Sequence, residues 1–283
     1  MALNNFVVFI LTHGRPHKNT TYNTLIRQGY TGKIFIIVDN EDKTIEEYKR
    51  LFGEKIIIFD KLAISKTFDT GDNSQDRRSI VYARNACFNI AKELGIEYFI
   101  ELDDDYPTIA YKFDSKYRYK EQAVLNLDNI FEILLNYYKK IDCLTLALAQ
   151  NGDFIGGKDN KFAKNIIPKR KAMNSFICST KRPFKFLGRI NEDVNTYTTL
   201  GSRGNLLLTI PNVAIHQSQT QKTKGGMTDL YKDNGTYIKS FYTVMYQPSC
   251  VKVSLMGATH KRLHHSVSWN NAVPKIINAM KLQ

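Results

Sequence analysis

The chain has no apolar run long enough to cross a bilayer. Its most apolar stretch, Phe6-Val7-Val8-Phe9-Ile10-Leu11, has the length of a β-strand, far below the ~20 residues of a membrane-spanning helix. The first residues also lack the basic region, apolar run and small-residue cleavage site of a secretory leader. Cysteine is scarce: Cys87, Cys143, Cys178 and Cys250 stand far apart and form no CxxC pair. That spacing argues against a disulfide framework or a zinc site and leads us to expect reduced, buried thiols in a cytoplasmic protein. No fixed period repeats and no segment is dominated by one residue type, which argues against a solenoid and against intrinsic disorder. Negative charge is in the minority: 27 acidic residues face 40 lysines and arginines, giving a formal net charge of +13.

An excess of this size attracts polyanions. The basic residues cluster from Lys158 to Lys171 and in Lys181-Arg182-Pro183-Phe184-Lys185, and aromatics alternate with them in Tyr111-Lys112-Phe113 and Lys116-Tyr117-Arg118-Tyr119-Lys120. Solubility alone is the plainer explanation; the clustering and the interleaved aromatics favour a nucleic-acid surface.

With 43% hydrophobic residues over 283 positions the chain can bury a sizeable core. A single domain is expected over 1–283, in two halves at 1–150 and 151–283. Strand-like runs over Asn5–Leu11, Lys33–Val38, Lys55–Phe59 and Glu97–Leu102 alternate with helical stretches over Thr20–Gln28, Thr44–Phe52 and Ser79–Leu94. Gly29, Gly53 and Gly95 close the helices. The alternation implies an α/β fold with a mainly parallel sheet flanked by helices. The second half is less regular. It holds a helix over Asn126–Lys140, strands over Leu144–Ala149 and Asn205–Ile210, and loops over Asn151–Lys171 and Gln217–Gly235.

In open α/β sheets, ligands bind beyond the carboxyl ends of the strands. Three polar clusters fall there: Thr12-His13-Gly14-Arg15, Asp39-Asn40 and Asp103-Asp104-Asp105. Adjacent carboxylates repel one another, and a divalent cation removes that penalty while holding phosphate oxygens. A departing nucleoside diphosphate gathers negative charge that such a cation neutralises. Strand alternation turns Asp103 and Asp105 one way and Asp104 the other. Asp103 and Asp105 are therefore the expected metal ligands, with Asp103 and Asp104 also at the donor; a solvated turn is the bland alternative.

Glu192-Asp193 offers a carboxylate to remove an acceptor proton. Asp193 is the expected base and Glu192 its alternate or a binder of sugar hydroxyls, whereas helix capping by Asn191 or Asp193 is the bland alternative. Arg84 and Asn85, on the helix before the aspartates, are expected near the diphosphate or nucleoside. Gly14 allows close backbone approach to a nucleotide, and Asp39 suits a uracil or ribose. His264 and His265 lie near Arg262 and Trp269, and one of the two is expected to reach the metal or the phosphates. Lys222 and Lys224 sit in a basic loop able to close over donor or acceptor.

These residues together resemble glycosyltransferases of the GT-A fold, and within it the TET-associated glycosyltransferases of bacteriophages. The likeness is carried by Leu11-Thr12-His13-Gly14-Arg15, Ile37-Val38-Asp39-Asn40-Glu41-Asp42, Thr70-Gly71-Asp72-Asn73, Val81-Tyr82-Ala83-Arg84-Asn85-Ala86 and Ile100-Glu101-Leu102-Asp103-Asp104-Asp105-Tyr106. Later come Gly188-Arg189-Ile190-Asn191-Glu192-Asp193-Val194, Gly225-Gly226-Met227-Thr228 and Gly235-Thr236-Tyr237-Ile238-Lys239-Ser240. The resemblance implies a Rossmann-like GT-A fold with a nucleotide-sugar-binding half at 1–150 and an irregular, acceptor-binding half at 151–283. It implies Mn2+ or Mg2+ as cofactor, a UDP-sugar donor, and DNA bearing an oxidised pyrimidine such as 5-hydroxymethylcytosine as acceptor. For a phage protein the compartment is the host cytoplasm. Lys222, Lys224, Arg262 and Trp269 are then the expected DNA contacts. Two other readings stay open: a GT-A enzyme with a protein or glycan acceptor, and a non-catalytic nucleic-acid-binding protein.

Overall fold

The structure is a computed structural model in which residues 2–154, 157, 165–217, 237–257 and 261–275 are described. The chain enters its core at once. β1 (Phe6–Leu11) is buried at all six positions, as a strand covered on both faces must be. α1 (Thr20–Arg27), capped by the Asn19 side chain, leads to β2 (Lys33–Asp39). α2 (Ile45–Phe52), β3 (Ile56–Phe59), the short α3 (Lys61–Ser65) and α4 (Val81–Glu93) follow. β4 (Tyr98–Asp103) then ends on the first of the three aspartates.

The remaining elements are β5 (Thr108–Phe113), β6 (Tyr119–Ala123), α5 (Leu127–Lys140), β7 (Thr145–Gln150), β8 (Ser175–Ser179), α6 (Glu192–Ser202), β9 (Leu207–His216), α7 (Ile238–Tyr246), β10 (Val251–Met256) and β11 (Arg262–Val267). Nine strands form one sheet in the order β3-β2-β1-β4-β8-β7-β9-β5-β6, and β10 with β11 makes a separate two-stranded sheet. β3, β2, β1 and β4 are mutually parallel. β8 runs against β4, β7 runs with β9, and β5 with β6 closes the edge as an antiparallel hairpin. The expected class, a mainly parallel α/β sheet flanked by helices, is the one observed, and the sheet takes strands from both halves of the chain.

One apolar cluster, including Val8, Ile10, Ile36, Leu135 and Tyr138, fills one side of the sheet. A second, including Phe9, Phe99, Cys87, Phe176 and Phe186, fills the other. All four cysteines are buried and free. The second half is more regular than its sequence suggests. β8 is five residues long and wholly buried, so it shows no polar alternation, whereas β6 is exposed at every position and reads as a loop. Val213-Ala214-Ile215 belongs to β9, which runs through Pro211 and shifts register against β7. Among the described residues no helix is long and apolar enough to cross a membrane.

Candidate functional site

The parallel strands deliver three loops to one end of the sheet. β1 and β4 are paired so that Leu11 lies opposite Asp103, which sets Thr12 beside the aspartate turn. Thr12 Oγ1 donates to Asp104 Oδ2 (2.5 Å) and lies 2.8 Å from the Tyr48 hydroxyl. The Arg15 guanidinium reaches Asp104 Oδ1 at 2.7 Å. From α1, Thr21 holds the turn by donating its hydroxyl to the Asp103 carbonyl and its N–H to the Asp104 carbonyl. Asp104, fully buried, therefore ties the first loop to the third; Arg15 and Thr12 partly offset the burial that pushes its carboxyl up to about 6.

The second loop is joined to the first. His13 Nδ1 lies 2.6 Å from Asp39 Oδ2, and the Gly14 N–H donates to Asp42 Oδ2 at 2.6 Å. Buried Lys61 reaches the other Asp39 oxygen at 3.2 Å. Burial alone raises a carboxyl, but the His13 hydrogen bond and the Lys61 charge win, and Asp39 is held below its ordinary value.

Arg84 connects these loops to the later acidic pair. It is fully buried on α4, and each nitrogen of its guanidinium addresses a different carboxylate: Nη2 to Asp103 at 2.9 Å, Nε to Glu192 at 3.2 Å, Nη1 to Glu101 at 3.6 Å. The rings of Phe176 and Phe186 lie 4.9 and 5.7 Å from its central carbon. Burial opposes the Arg84 charge, but the carboxylates outweigh it and hold the proton more firmly than usual. Glu101 is not among the residues that the sequence singles out for a role. Its signal was a lone glutamate in the apolar run Tyr98-Phe99-Ile100-Glu101-Leu102. Burial pushes its carboxyl up to about 8, with Arg84 pulling the other way.

Glu192 and Asp193 open α6. Asn191 precedes them in the left-handed region (φ 61°) without a side-chain cap; its amide instead donates to the Lys239 carbonyl and Thr243 Oγ1 and lies 3.3 Å from His265 Nδ1. Asp193 accepts from the adjacent Val194 N–H. Burial raises both carboxyls, and the neighbouring Asp193 charge adds to the rise of Glu192. Glu192 is thus tied to Arg84, while no ion pair holds Asp193 among the described residues.

Asp105 is pushed up to about 7 by burial and then by the charges of Asp103 and Asp104. His264 and His265, on β11, have ring centroids 4.2 Å apart. Burial, then His264, Lys171 and Lys239, push His265 down to about 3, and burial also lowers His264; both are neutral at physiological pH, the form that ligates metals. His265 borders the start of α6 through Asn191. Among the described residues no group of three or more His, Cys, Asp or Glu side chains is arranged to hold a metal ion.

Several expected residues have structural occupations. Asn85 is buried and spends both ends of its amide on the Phe186 backbone, so it braces the segment before α6 rather than facing a donor. Trp269 stacks on Tyr197 at 5.6 Å. Arg262 is exposed on β11. In the basic clusters, Arg182 donates to the Ile141, Cys143 and Tyr138 carbonyls, and Lys112 is buried against Glu121 and Asn151; neither is available to a polyanion. Lys222 and Lys224 lie outside the described residues.

The sequence model of the TET-associated glycosyltransferases matches residues 6–226. No curated protein sequence matches the chain. Among solved structures the chain is similar to the mannosyltransferase PcManGT from Pyrobaculum calidifontis in complex with GDP-Man and Mn2+, with a TM-score of 0.47, 11% identity, and coverage of 81% of this chain and 60% of that one. It is similar to S. aureus TarS with a TM-score of 0.43, 16% identity, and coverage of 81% and 38%. It is similar to glucosyl-3-phosphoglycerate synthase from Mycobacterium tuberculosis in complex with Mg2+ and uridine-diphosphate, with a TM-score of 0.46, 7% identity, and coverage of 94% and 89%. The chain spans less than two thirds of the length of the first two.

Proposed function

The chain belongs to the TET-associated glycosyltransferase family, and from that premise we propose that it moves a sugar from a UDP-sugar to the hydroxymethyl oxygen of a modified pyrimidine in DNA. The observation that carries this reading is the Arg84 guanidinium, which joins Asp103, at the tip of a central parallel strand, to Glu192, beside Asp193. Two acidic motifs distant in sequence thereby border one space. A glycosyl transfer needs such a pairing: one acidic group for the diphosphate end of the donor, another for the acceptor hydroxyl.

In this reading Asp39, with His13 and Lys61, faces the nucleoside, and Arg15 and Arg84 lie beside the diphosphate. Asp193 takes the proton of the acceptor hydroxyl as that oxygen bonds to the anomeric carbon; the bond from that carbon to the diphosphate breaks, and UDP leaves. Glu192, held by Arg84, is its alternate.

The donor chemistry fits a divalent cation. Three consecutive carboxylates crowd one turn, and Asp105 resists ionisation because of its burial and its neighbours. Asp104 spends both oxygens on Arg15 and Thr12, whereas Arg84 meets Asp103 through Oδ1; Asp103 and Asp105 are the carboxylates that would hold Mn2+ or Mg2+, with His264 or His265 as a further candidate. Hard cations commonly combine one or two protein carboxylates with phosphate oxygens and water. When bound, the ion supplies Lewis acidity toward the departing diphosphate.

The net charge of +13 supports a DNA acceptor, whose phosphates a basic surface binds with release of counterions. Arg262, exposed on β11, is the expected DNA contact that the described surface supports, and Lys222 and Lys224 add to the positive charge of the sequence. The test is incubation of radiolabelled UDP-sugars, and GDP-sugars for comparison, with hydroxymethylated DNA, unmodified DNA and glycan acceptors in Mn2+ or Mg2+. Label in hydroxymethylated DNA alone, lost on chelation, is expected. Label only in the glycan acceptors, or none in DNA with any donor, overturns the DNA reading.

A further inference from the structure

We propose that Glu101 is a positioning residue of the transfer reaction, a buried carboxyl group that confines the inner edge of the Arg84 guanidinium while its outer nitrogens meet Asp103 and Glu192. The proposal rests on the reading of Asp103 as a donor-side group and of Glu192-Asp193 as the acceptor-side pair.

Glu101 lies in the middle of the sheet. In β4 it is paired with Phe9 of β1 on one side and Phe176 of β8 on the other, and it has no exposed surface. A carboxyl in such surroundings costs free energy unless a partner offsets it. Its partner is Arg84 Nη1 at 3.6 Å, beyond good hydrogen-bonding distance, and neither Glu101 oxygen meets a hydrogen-bond partner in good geometry. An ion pair made this loosely is a poor source of stability, and isosteric apolar replacement of such pairs is often neutral or stabilising. What Glu101 does contribute is direction. Glu101 and Asp103 stand two residues apart, on the same side of β4, and both face α4, so Arg84 meets one carboxylate deep in the core and another at the strand tip.

The geometry of the guanidinium is rigid and planar, with donors in fixed directions. With the Glu101 carboxyl beside Nη1 and the rings of Phe176 and Phe186 close to its central carbon, the guanidinium directs Nη2 at Asp103 and Nε at Glu192. Without the Glu101 carboxyl the inner edge of the guanidinium loses its polar neighbour, and the group can turn or retreat toward either outer carboxylate. Errors of ~1 Å at reacting groups cost on the order of a hundredfold in rate.

The test is a double-mutant cycle on Glu101→Met, which removes the carboxyl in either protonation state, and Arg84→Lys, run on whichever acceptor the wild type glycosylates. Expected for E101M, measured at a temperature where it is folded by circular dichroism, are at least a tenfold fall in kcat per folded molecule with the donor KM within about threefold, and faster solvent exchange of the Arg84 Nε–H in 15N NMR spectra. In the R84K background, E101M should cost less than twofold more. E101M that loses kcat only with its folded fraction makes Glu101 structural and overturns the proposal, as do full turnover or losses that multiply with R84K. Should E101M itself fail to fold, Glu101→Leu serves in the same cycle, and collapse of both variants counts against the proposal. Activity confined to glycan acceptors defeats the DNA reading but leaves this cycle and its outcome intact.

Discussion

Replacement of Asp105 by asparagine should raise the stability of the fold and abolish transfer. The carboxyl of Asp105 stands at about 7 instead of 3.8, so its charge costs stability progressively as pH rises from 3.8 and in full above about 7. Each pH unit between those two values corresponds to about 1.4 kcal/mol. With that cost halved for solvent screening, D105N should gain about 2 kcal/mol at pH 8, roughly 4–8 °C, and nothing at pH 4. Differential scanning fluorimetry in chelator from pH 4 to 8 measures the gain. Added Mn2+ should then raise the wild type's melting temperature and leave that of D105N unmoved, and D105N should lose transfer activity despite its stability. A D105N protein that melts below the wild type at pH 8, or that still responds to Mn2+, refutes the reasoning.

Two further outcomes follow from the same geometry. Asp193→Asn should lower kcat by a factor of about 100 or more, the usual worth of a general base, with UDP affinity by isothermal titration changed less than threefold; equal losses in both would assign Asp193 to binding instead. Asp39 is held below its ordinary 3.8 by His13 and Lys61 against the cost of burial, so it contributes stability at pH values above 3.8 that is lost as pH falls through its lowered value. Asp39→Asn should therefore melt lower than the wild type at pH 7, with the gap closing below about pH 4, and a gap that does not change with pH would show that the carboxylate charge plays no part.

The first half of the fold was legible because its strands are continuous apolar runs, wholly buried in β1 and largely so in β2 and β4, and its helices end at glycines with positive φ: Gly29, Gly53 and Gly95. Observed boundaries differ from the expected ones by a residue or two, as in Val81–Glu93 against Ser79–Leu94. The second half was obscured by pairing that no local pattern encodes. Ser175–Ser179 becomes a strand because β4 and β7 flank it, and Thr108–Phe113 because β9 and β6 do. At the site, residue types gave the acidic positions and strand alternation set Asp104 apart from Asp103 and Asp105, but no local pattern announced that Arg15 and Thr12 would be its partners. Asn85 looked like its neighbour Arg84, but successive residues on a helix point about 100° apart, so one faces Asp103 and the other Phe186. Glu101 was overlooked because a single acid in an apolar run has no motif; only the position of Arg84 gives it a role.

The placement of Glu192 and Asp193 depends on a residue without a side chain. Gly188 adopts φ +83°, and a Cβ there would lie 2.3 Å from Asn195 Nδ2 and 2.8 Å from the Tyr246 ring. Neither neighbour can yield freely. The Asn195 amide donates to the Leu187 and Ile190 carbonyls, which shapes the chain entering α6, and the Tyr246 hydroxyl donates to the Asp69 carbonyl. The backbone on either side is fixed too, Gly188 N–H to Asp69 and Arg189 N–H to Thr70, with the Arg189 guanidinium on Asp72 at 2.8 Å. Gly188→Ala should therefore cost about 2–4 kcal/mol, combining the positive-φ penalty with overpacking, and should shift the first turn of α6 away from Arg84. Gly204 provides the comparison: its φ is +94° but a Cβ there meets nothing within 4 Å, so Gly204→Ala should cost about 1 kcal/mol and keep its turnover. Measured at a temperature where both variants are folded by circular dichroism, G188A should have kcat at least tenfold below G204A. Equal turnover in the two would mean that the chain leading into α6 does not set the position of the acidic pair.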